Sequence, residues 1–326
     1  MSNYLVSGAA GFIGASVIEM LLKQGNTVVG VDNMNHAYDV RMKEYRLRRL
    51  QEQAGFTFYQ ADISERETLQ RHAEIEEQAF DAVINLAARA GVRQSMEDPW
   101  VYVATNTTGT LNLLELCRQK GIPKFVLAST SSIYGANAPL PTPEEADSDH
   151  PLQPYAASKK GAEALSHVYH YLYGVDVTVL RYFTVYGPAG RPDMSMFRFT
   201  QWISEGRPVR VNGDGEQSRG FTYVQDIAHG TIQALSPLGY EIINLGGHET
   251  ISINALIHLL EEMVGRQAKV EHQPPIPAEM LASWADVRKA KRLLGWEPSV
   301  SLLEGIANLV AWYKAERNWA SQIVTD

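Results

Sequence analysis

Cysteine is all but missing: Cys117 is the single one in 326 residues, which excludes an intramolecular disulfide, a cysteine-based zinc cluster and a CxxC redox pair. Its surroundings, LNLLELCRQK, are patterned as an amphipathic helix, so the thiol reads as buried and inert. Long apolar runs are absent too. No window approaches the roughly 18 uninterrupted apolar residues of a membrane span, and the opening MSNYLVSGAAGFIG has no basic stretch before an apolar core and no small-residue cleavage site after one. These absences predict a soluble cytoplasmic protein without a membrane partner. Positive charge is also short: 29 Lys and Arg against 37 Asp and Glu leave a formal charge of −8, which argues against nucleic acid as a partner because polyphosphate contact needs a basic face. An anionic small ligand would have to be met by local arginines, and no metal is expected.

What is present is ordinary globular composition, 45% apolar and 20% charged, enough for one large α/β domain or a domain with a smaller lobe. Through residue 181, short β-branched runs alternate with helical patterns, the signature of βαβ units on a parallel sheet. Strands are predicted at 4–7, 27–31, 56–60, 81–87, 124–129 and 176–181, which makes a doubly wound fold. Beyond 181 the pattern loosens, with turn signals in GPAGRP and NGDGEQ, short strands at VRV and IINL, and helices near 252–264 and 302–318. That reads as a smaller lobe folded over the carboxyl ends of the strands. RYFTVYGPAGRPDM, residues 181–194, has no apolar run long enough for a helix or strand and sits where the two parts meet.

VSGAAGFIGASVIEMLL runs from strand through glycine turn into amphipathic helix, with Gly8, Gly11 and Gly14 spaced GxxGxxG around Phe12 and Ile13. Glycines permit a tight turn and close backbone approach, and a helix amino terminus offers free N–H groups and a positive dipole end to a pyrophosphate. The triplet alone is weak evidence. Asp32, ending the next strand in VVGVD, adds a carboxylate suited to a ribose diol and repellent to a 2′-phosphate, so NAD is expected over NADP. Asp62 in ADI follows the third strand, where it would meet an adenine amino group or equally cap a helix.

Tyr155 and Lys159 in PYAASKKGAEAL stand four apart and share a helix face. Such a pair recurs by chance, but this one opens the helix between the fifth and sixth strands. The fifth strand ends in ASTSSIYG, bringing Thr130, Ser131 and Ser132 to the same carboxyl edge. A phenol of ordinary pKa about 10 is a poor base at neutral pH, and a nearby ammonium favours its phenolate. Thr130 would hydrogen-bond the same substrate hydroxyl.

Taken in order, SGAAGFIG, VDN, ADI, NLAARAGVRQS, ASTSSIYG, YAASK, RYFTVYGP and SRGFTYVQD resemble the extended short-chain dehydrogenase/reductases that act on nucleotide sugars, over essentially the whole chain. Within them the chain is most similar to the 4-epimerases of UDP-sugars, in particular those of UDP-glucuronate. The resemblance implies a Rossmann-type NAD-binding domain over 1–181 and 221–247, and a nucleotide-sugar-binding lobe over 182–220 and 248–326. It implies Thr130, Tyr155 and Lys159 as catalytic residues. Bound NAD would further meet Ile63, Leu86, Ala87, Ala88 and Tyr182. A homodimer would join through the helices near 98–119 and 154–173. Three positions depart from the family pattern: Asn85 where His is frequent, Gly220 where Asp usually follows Arg219, and Arg89 in place of a frequent Gln, beside the expected sugar pocket.

The implied reaction takes the proton of the sugar 4-hydroxyl with Tyr155 while hydride leaves ring carbon 4; the 4-ketose turns over and hydride returns to its other face. Related dehydratases carry Asp-Glu after the catalytic Thr, and related decarboxylases Ser-Glu. Here Ser131 and Ser132 supply no acid, so plain epimerisation fits better. Neutral-sugar enzymes usually show RYFN, whereas Thr184 matches the glucuronate enzymes. By resemblance Thr184, Ser131 and Ser132 contact the sugar carboxylate, Arg191 lies near it, Arg93 lies near the sugar, and Arg219 binds the UDP phosphates, for which a planar guanidinium is suited. UDP-glucose or UDP-N-acetylglucosamine 4-epimerisation, UDP-glucuronate decarboxylation and a non-catalytic NAD sensor remain alternatives at this point.

Overall fold

The chain begins β1 (Asn3–Ser7), α1 (Phe12–Lys23), β2 (Thr27–Asp32), α2 (Arg41–Gln51), β3 (Phe56–Gln60) and β4 (Ala82–Asn85), and continues through β5 (Lys124–Thr130) and β6 (Asp176–Tyr182). In this computed structural model every residue is described except 69–71, 73, 74, 76, 248, 276–280 and 326. Every residue of β4 and β5 is buried, as expected of parallel strands covered on both faces. Beyond β6 come β7 (Thr184–Tyr186), β8 (Pro208–Asn212), β9 (Ser218–Tyr223), β10 (Tyr240–Leu245), β11 (Thr250–Ser252), β12 (Lys269–Gln273) and β13 (Ala282–Ser283).

The main sheet is parallel throughout, in the order β10-β6-β5-β4-β1-β2-β3, a Rossmann-type order that reverses between β1 and β4 and opens a crevice at the carboxyl ends there. Successive strand residues point to opposite faces. Leu5, Val83, Phe125 and Val179 therefore pack into one apolar layer, and Val6, Ile84, Val126 and Leu180 into the other. IINL, a loose run in the sequence, becomes the seventh strand: Leu245 of β10 registers against Tyr182 of β6.

The second body has its own core of Trp202, Phe221, Leu256, Leu260 and Leu309. Helices Ile253–Val264 and Leu302–Ala315 contribute to it, each capped by a serine (Ser252 and Ser301) whose hydroxyl accepts a first-turn N–H. β9 carries β7, β11 and β13 in a small sheet, and β8 pairs with β12. The stretch 181–194 is more regular than its composition predicts. Arg181 and Tyr182 close β6, while Thr184–Tyr186 form β7 by pairing with β9 at Phe221–Tyr223, a partner far away in sequence that local pattern cannot reveal.

Helix Pro99–Tyr102 runs through a π-helical segment, Val103–Thr108, into helix Gly109–Lys120 and lies against the 20-residue helix Pro154–Tyr173. Gly161 permits that approach, because a Cβ there would stand 3.3 Å from Thr107 Cγ2. Cys117 is buried and its thiol is pushed up by desolvation. Among the described residues, no helix is long and apolar enough to cross a membrane.

Candidate active site

A cavity of about 780 Å³ opens along the carboxyl ends of the main sheet. Its wall includes the glycine turn, Asp32, Asp62, Ile63, Leu86, Ala87 and Ala88. It also includes Thr130, Ser131, Ser132, Tyr155, Lys159, Tyr182 and Thr184, with Arg93, Arg191 and Arg219. Residues scattered over more than 200 positions thus face one space.

The glycines are dictated by contact. A Cβ on Gly14 would lie 2.1 Å from Gly8 O, and one on Gly8, at φ +74°, 2.7 Å from Ala87 N. Helix α1 starts from Gly11 without a side-chain cap, and its first backbone bond runs from Ala15 N to Gly11 O. The N–H groups of Phe12 and Ile13 are left for an anion at the positive end of the helix. The Asp32 carboxylate is fixed by Ala10 N (3.2 Å), Met34 N (2.8 Å) and the buried ammonium of Lys43 (3.2 Å). Asp62 accepts from Asn33 Nδ2 at 2.7 Å and from the Ser64 N–H and hydroxyl; burial opposes its charge, but these bonds hold the carboxyl below its usual range. A turn into which no side chain fits, two uncapped N–H groups and a buried carboxylate on β2 together fit a dinucleotide.

At the proton-transfer end, Thr130 closes β5; its hydroxyl accepts the Ser132 N–H and donates to Ser132 Oγ, both at 3.2 Å, and it stands close enough to the Tyr155 phenol to favour its charged form. Burial raises that phenol above its ordinary value, against the pull of Thr130 and the positive charge of Arg191. Lys159, buried, donates to Ala128 O at 2.8 Å, and desolvation pushes it down to about 8. It therefore still carries its charge through most of the neutral range. Tyr102 meets the Tyr155 ring edge-on, with centroids 6.1 Å apart.

The remaining polar residues are arranged less simply. Arg191 is paired with Asp193 through Nε and Nη2, at 3.1 and 2.5 Å, and its Nη2 also reaches Ala90 O at 3.3 Å. Arg219 Nη1 donates to Ser218 O at 2.8 Å. Arg93 is exposed on the rim. Arg198 and Arg210 join the wall, two cations the sequence reading did not single out. Tyr182 turns its hydroxyl to Thr231 at 2.8 Å. Of the departing positions, Asn85 is a buried polar hub bonded to Ser7 Oγ (2.7 Å) and Thr110 Oγ1 (2.9 Å). Gly220 leaves no room for Asp, since a Cβ would stand 2.7 Å from both Gly247 O and Trp284 Cβ. Arg89 lies between the wall residues Ala88 and Ala90. Asn106 ties down its backbone and its Nη1 turns toward Asn35 Oδ1 at 3.5 Å.

One organiser was illegible in the sequence. Arg46 lies in RMKEYRLRRL, which reads as a solvated charged helix, yet it is buried and donates to Ala10 O, Ala189 O and Gly190 O at 2.8–3.1 Å. It joins the phosphate turn to the GPAGRP loop and holds Ala189 at φ +53°.

The NAD dependent epimerase/dehydratase family model matches residues 4–246. A UDP-glucuronate 4-epimerase of Thermodesulfobacterium geofontis is 56% identical over 315 residues, covering 96% of this chain and 97% of the relative. The crystal structure of a Bacillus cereus UDP-glucuronic acid 4-epimerase in complex with UDP-glucuronic acid and NAD aligns with TM-score 0.88 at 37% identity, covering 96% and 99% of the two chains. A Thermotoga maritima UDP-glucose 4-epimerase with UDP-glucose aligns with TM-score 0.89 at 34% identity, covering 97% and 99%.

Proposed function

The chain belongs to the NAD dependent epimerase/dehydratase family, and from that premise we propose that it interconverts UDP-glucuronate and UDP-galacturonate by epimerisation at sugar carbon 4. Gly8, Gly11 and Gly14 with the first-turn N–H groups of α1 hold the cofactor's pyrophosphate, and Asp32 takes a ribose diol. When bound, NAD supplies the hydride acceptor and donor for ring carbon 4.

Tyr155 takes the 4-hydroxyl proton and returns it to the same oxygen once the ring has turned over. Thr130 beside the phenol favours its charged form, and the Lys159 ammonium does the same. The keto sugar is a β-keto acid and loses carbon dioxide when its carboxylate bond stands perpendicular to the ketone plane. Ser131, Ser132 and Thr184 fix the carboxylate out of that orientation. With Ser-Ser after Thr130, no acid stands there to expel a hydroxyl from carbon 6. Arg198, Arg210 and Arg219 meet the UDP diphosphate. Arg191, neutralised by Asp193, sets the edge of the carboxylate site.

Residues 1–181 and 221–247 form the NAD domain in this reading, and 182–220 and 248–326 the nucleotide-sugar lobe. Two copies pair through the helices Gly109–Lys120 and Pro154–Tyr173 with the segment before them, where Trp100 is 81% and Tyr171 78% exposed beside Val103, Val168 and Leu172. A cytoplasmic setting keeps the lone thiol reduced. The observation that carries the reading is the single cavity in which Thr130, Tyr155 and Lys159 share a wall with Ser131, Ser132 and Thr184. Purified protein incubated with UDP-glucuronate should yield UDP-galacturonate on chromatography. Release of a UDP-pentose would make it a decarboxylase, and an unchanged substrate would refute the proposal.

A further inference from the structure

Behind Lys159, on the side away from the cavity, lies a buried ion pair that the mechanism above does not use. Glu163 is one turn further along the helix Pro154–Tyr173 and is 3% exposed; Arg181 on β6 is 2% exposed. Arg181 Nε and Nη2 donate to the two Glu163 oxygens at 3.1 and 2.8 Å, and the Ser129 hydroxyl donates to the same carboxylate at 2.5 Å. Ser129 directly precedes Thr130 and directly follows Ala128, whose carbonyl accepts the Lys159 ammonium. One carboxylate therefore bonds the strand between the Thr130 and Lys159 anchor points, and does so from the helix that carries both Tyr155 and Lys159.

From this geometry we infer that Glu163 is a positioning residue for the reaction, setting the β5-to-helix spacing that lets Thr130 meet Tyr155 and supplying the negative charge that keeps the Lys159 ammonium charged. The inference rests on the proposed epimerase reading. Geometry and charge act together. Glu163, on the same helix, is the charged group that acts on Lys159, and Arg181 on β6 meets that carboxylate. Tyr134, after β5, lies beneath the Arg181 guanidinium at 4.8 Å, and the Tyr240 hydroxyl of β10 reaches Glu163 O at 3.4 Å. The Arg181 Nη1 is occupied by Glu144 O at 3.2 Å. Glu163 raises Lys159 against the dominant downward push of burial.

The signs follow. Removing the carboxylate leaves two buried cations, so Lys159 deprotonates at lower pH. Removing the guanidinium leaves the carboxylate unneutralised, so Lys159 deprotonates at higher pH. A group that only holds the fold together would lower activity without moving the pH limbs in opposite directions.

The test is the kcat/KM profile between pH 6 and 10 for the wild type, Glu163→Gln, Arg181→Gln and Ser129→Ala, with circular dichroism to check that each chain is folded. The alkaline limb is expected to move down by about 1 pH unit in Glu163→Gln and up by about 1 in Arg181→Gln. Ser129→Ala should lower kcat several-fold with the limb unmoved. If Glu163→Gln does not fold, the upward shift in Arg181→Gln carries the test alone. Limbs that stay in place, or shift in the same direction, in folded variants overturn the inference. A wild type that does not epimerise UDP-glucuronate would instead remove the reading on which it rests.

Discussion

Substituting alanine for Gly14 tests whether the glycine turn is shaped for a phosphate. The new Cβ would stand 2.1 Å from Gly8 O and 2.9 Å from Gly8 C, well inside van der Waals contact. Both atoms belong to backbone, so no rotamer change relieves the clash. Gly8 O also accepts the Gly11 N–H at 2.9 Å, and any displacement opens the turn itself. Overpacking of this kind costs about 3 kcal/mol, which in a chain of this size lowers Tm by roughly 6 °C. The displaced first-turn N–H groups lose charge-assisted bonds of about 1.5–3 kcal/mol each, so NAD affinity should fall by roughly 100-fold. Gly25→Ala is the control. Its φ is +80° and nothing lies within 4 Å, so alanine there pays only for left-handed backbone, about 1 kcal/mol, with NAD affinity unchanged. Tryptophan-fluorescence titration with NAD and thermal unfolding measure both quantities. A Gly14→Ala protein that binds NAD as the wild type does, or a Gly25→Ala protein weakened equally, would refute the reasoning.

Other outcomes follow from the same geometry. Tyr155→Phe should reduce turnover by roughly 10²–10⁴-fold while NAD binding, followed by fluorescence, is retained; unchanged turnover would remove the tyrosine as base. Gly220→Asp, which restores the residue common in similar enzymes, should destabilise the fold by about 1–3 kcal/mol because of Gly247 O and Trp284; a denaturant midpoint at or above that of the wild type would contradict this. Leu172→Asp on the exposed face of the helix Pro154–Tyr173 should convert a dimer to a monomer in sedimentation velocity, and a monomeric wild type would dismiss the pairing. Thr184→Asn should shift the ratio of kcat/KM values from UDP-glucuronate toward UDP-glucose, and an unaltered ratio would take Thr184 out of substrate selection.

The middle of the main sheet was legible because β4 and β5 are buried on both faces and read as short apolar runs, as KFVLAS of β5 does. The glycine turn and the Tyr155–Lys159 pair were legible because their chemistry is local. What stayed hidden depends on distant partners. β7 is three residues long and exists only through β9. Lys43 and Arg46 sit in a helix of charges that any local reading turns to solvent, yet the Asp32 carboxylate satisfies one and the carbonyls of residues 189–190 the other. The pairing of Glu163 with Arg181 likewise depends on β6 lying beside the helix Pro154–Tyr173. The setting of Arg89 has the same origin, since Asn106 holds its backbone and Asn35 meets its guanidinium, neither of them a neighbour in NLAARAGVRQS.

The central claim, that the hydroxyls of Ser131, Ser132 and Thr184 select a sugar bearing a carboxylate, is tested most directly by kcat/KM for UDP-glucuronate and for UDP-glucose, measured on the same preparation in one buffer. With two or more hydrogen bonds to a charged group at stake, the uronate should be preferred by at least about 100-fold. Equal values, or a preference for UDP-glucose, would contradict the account.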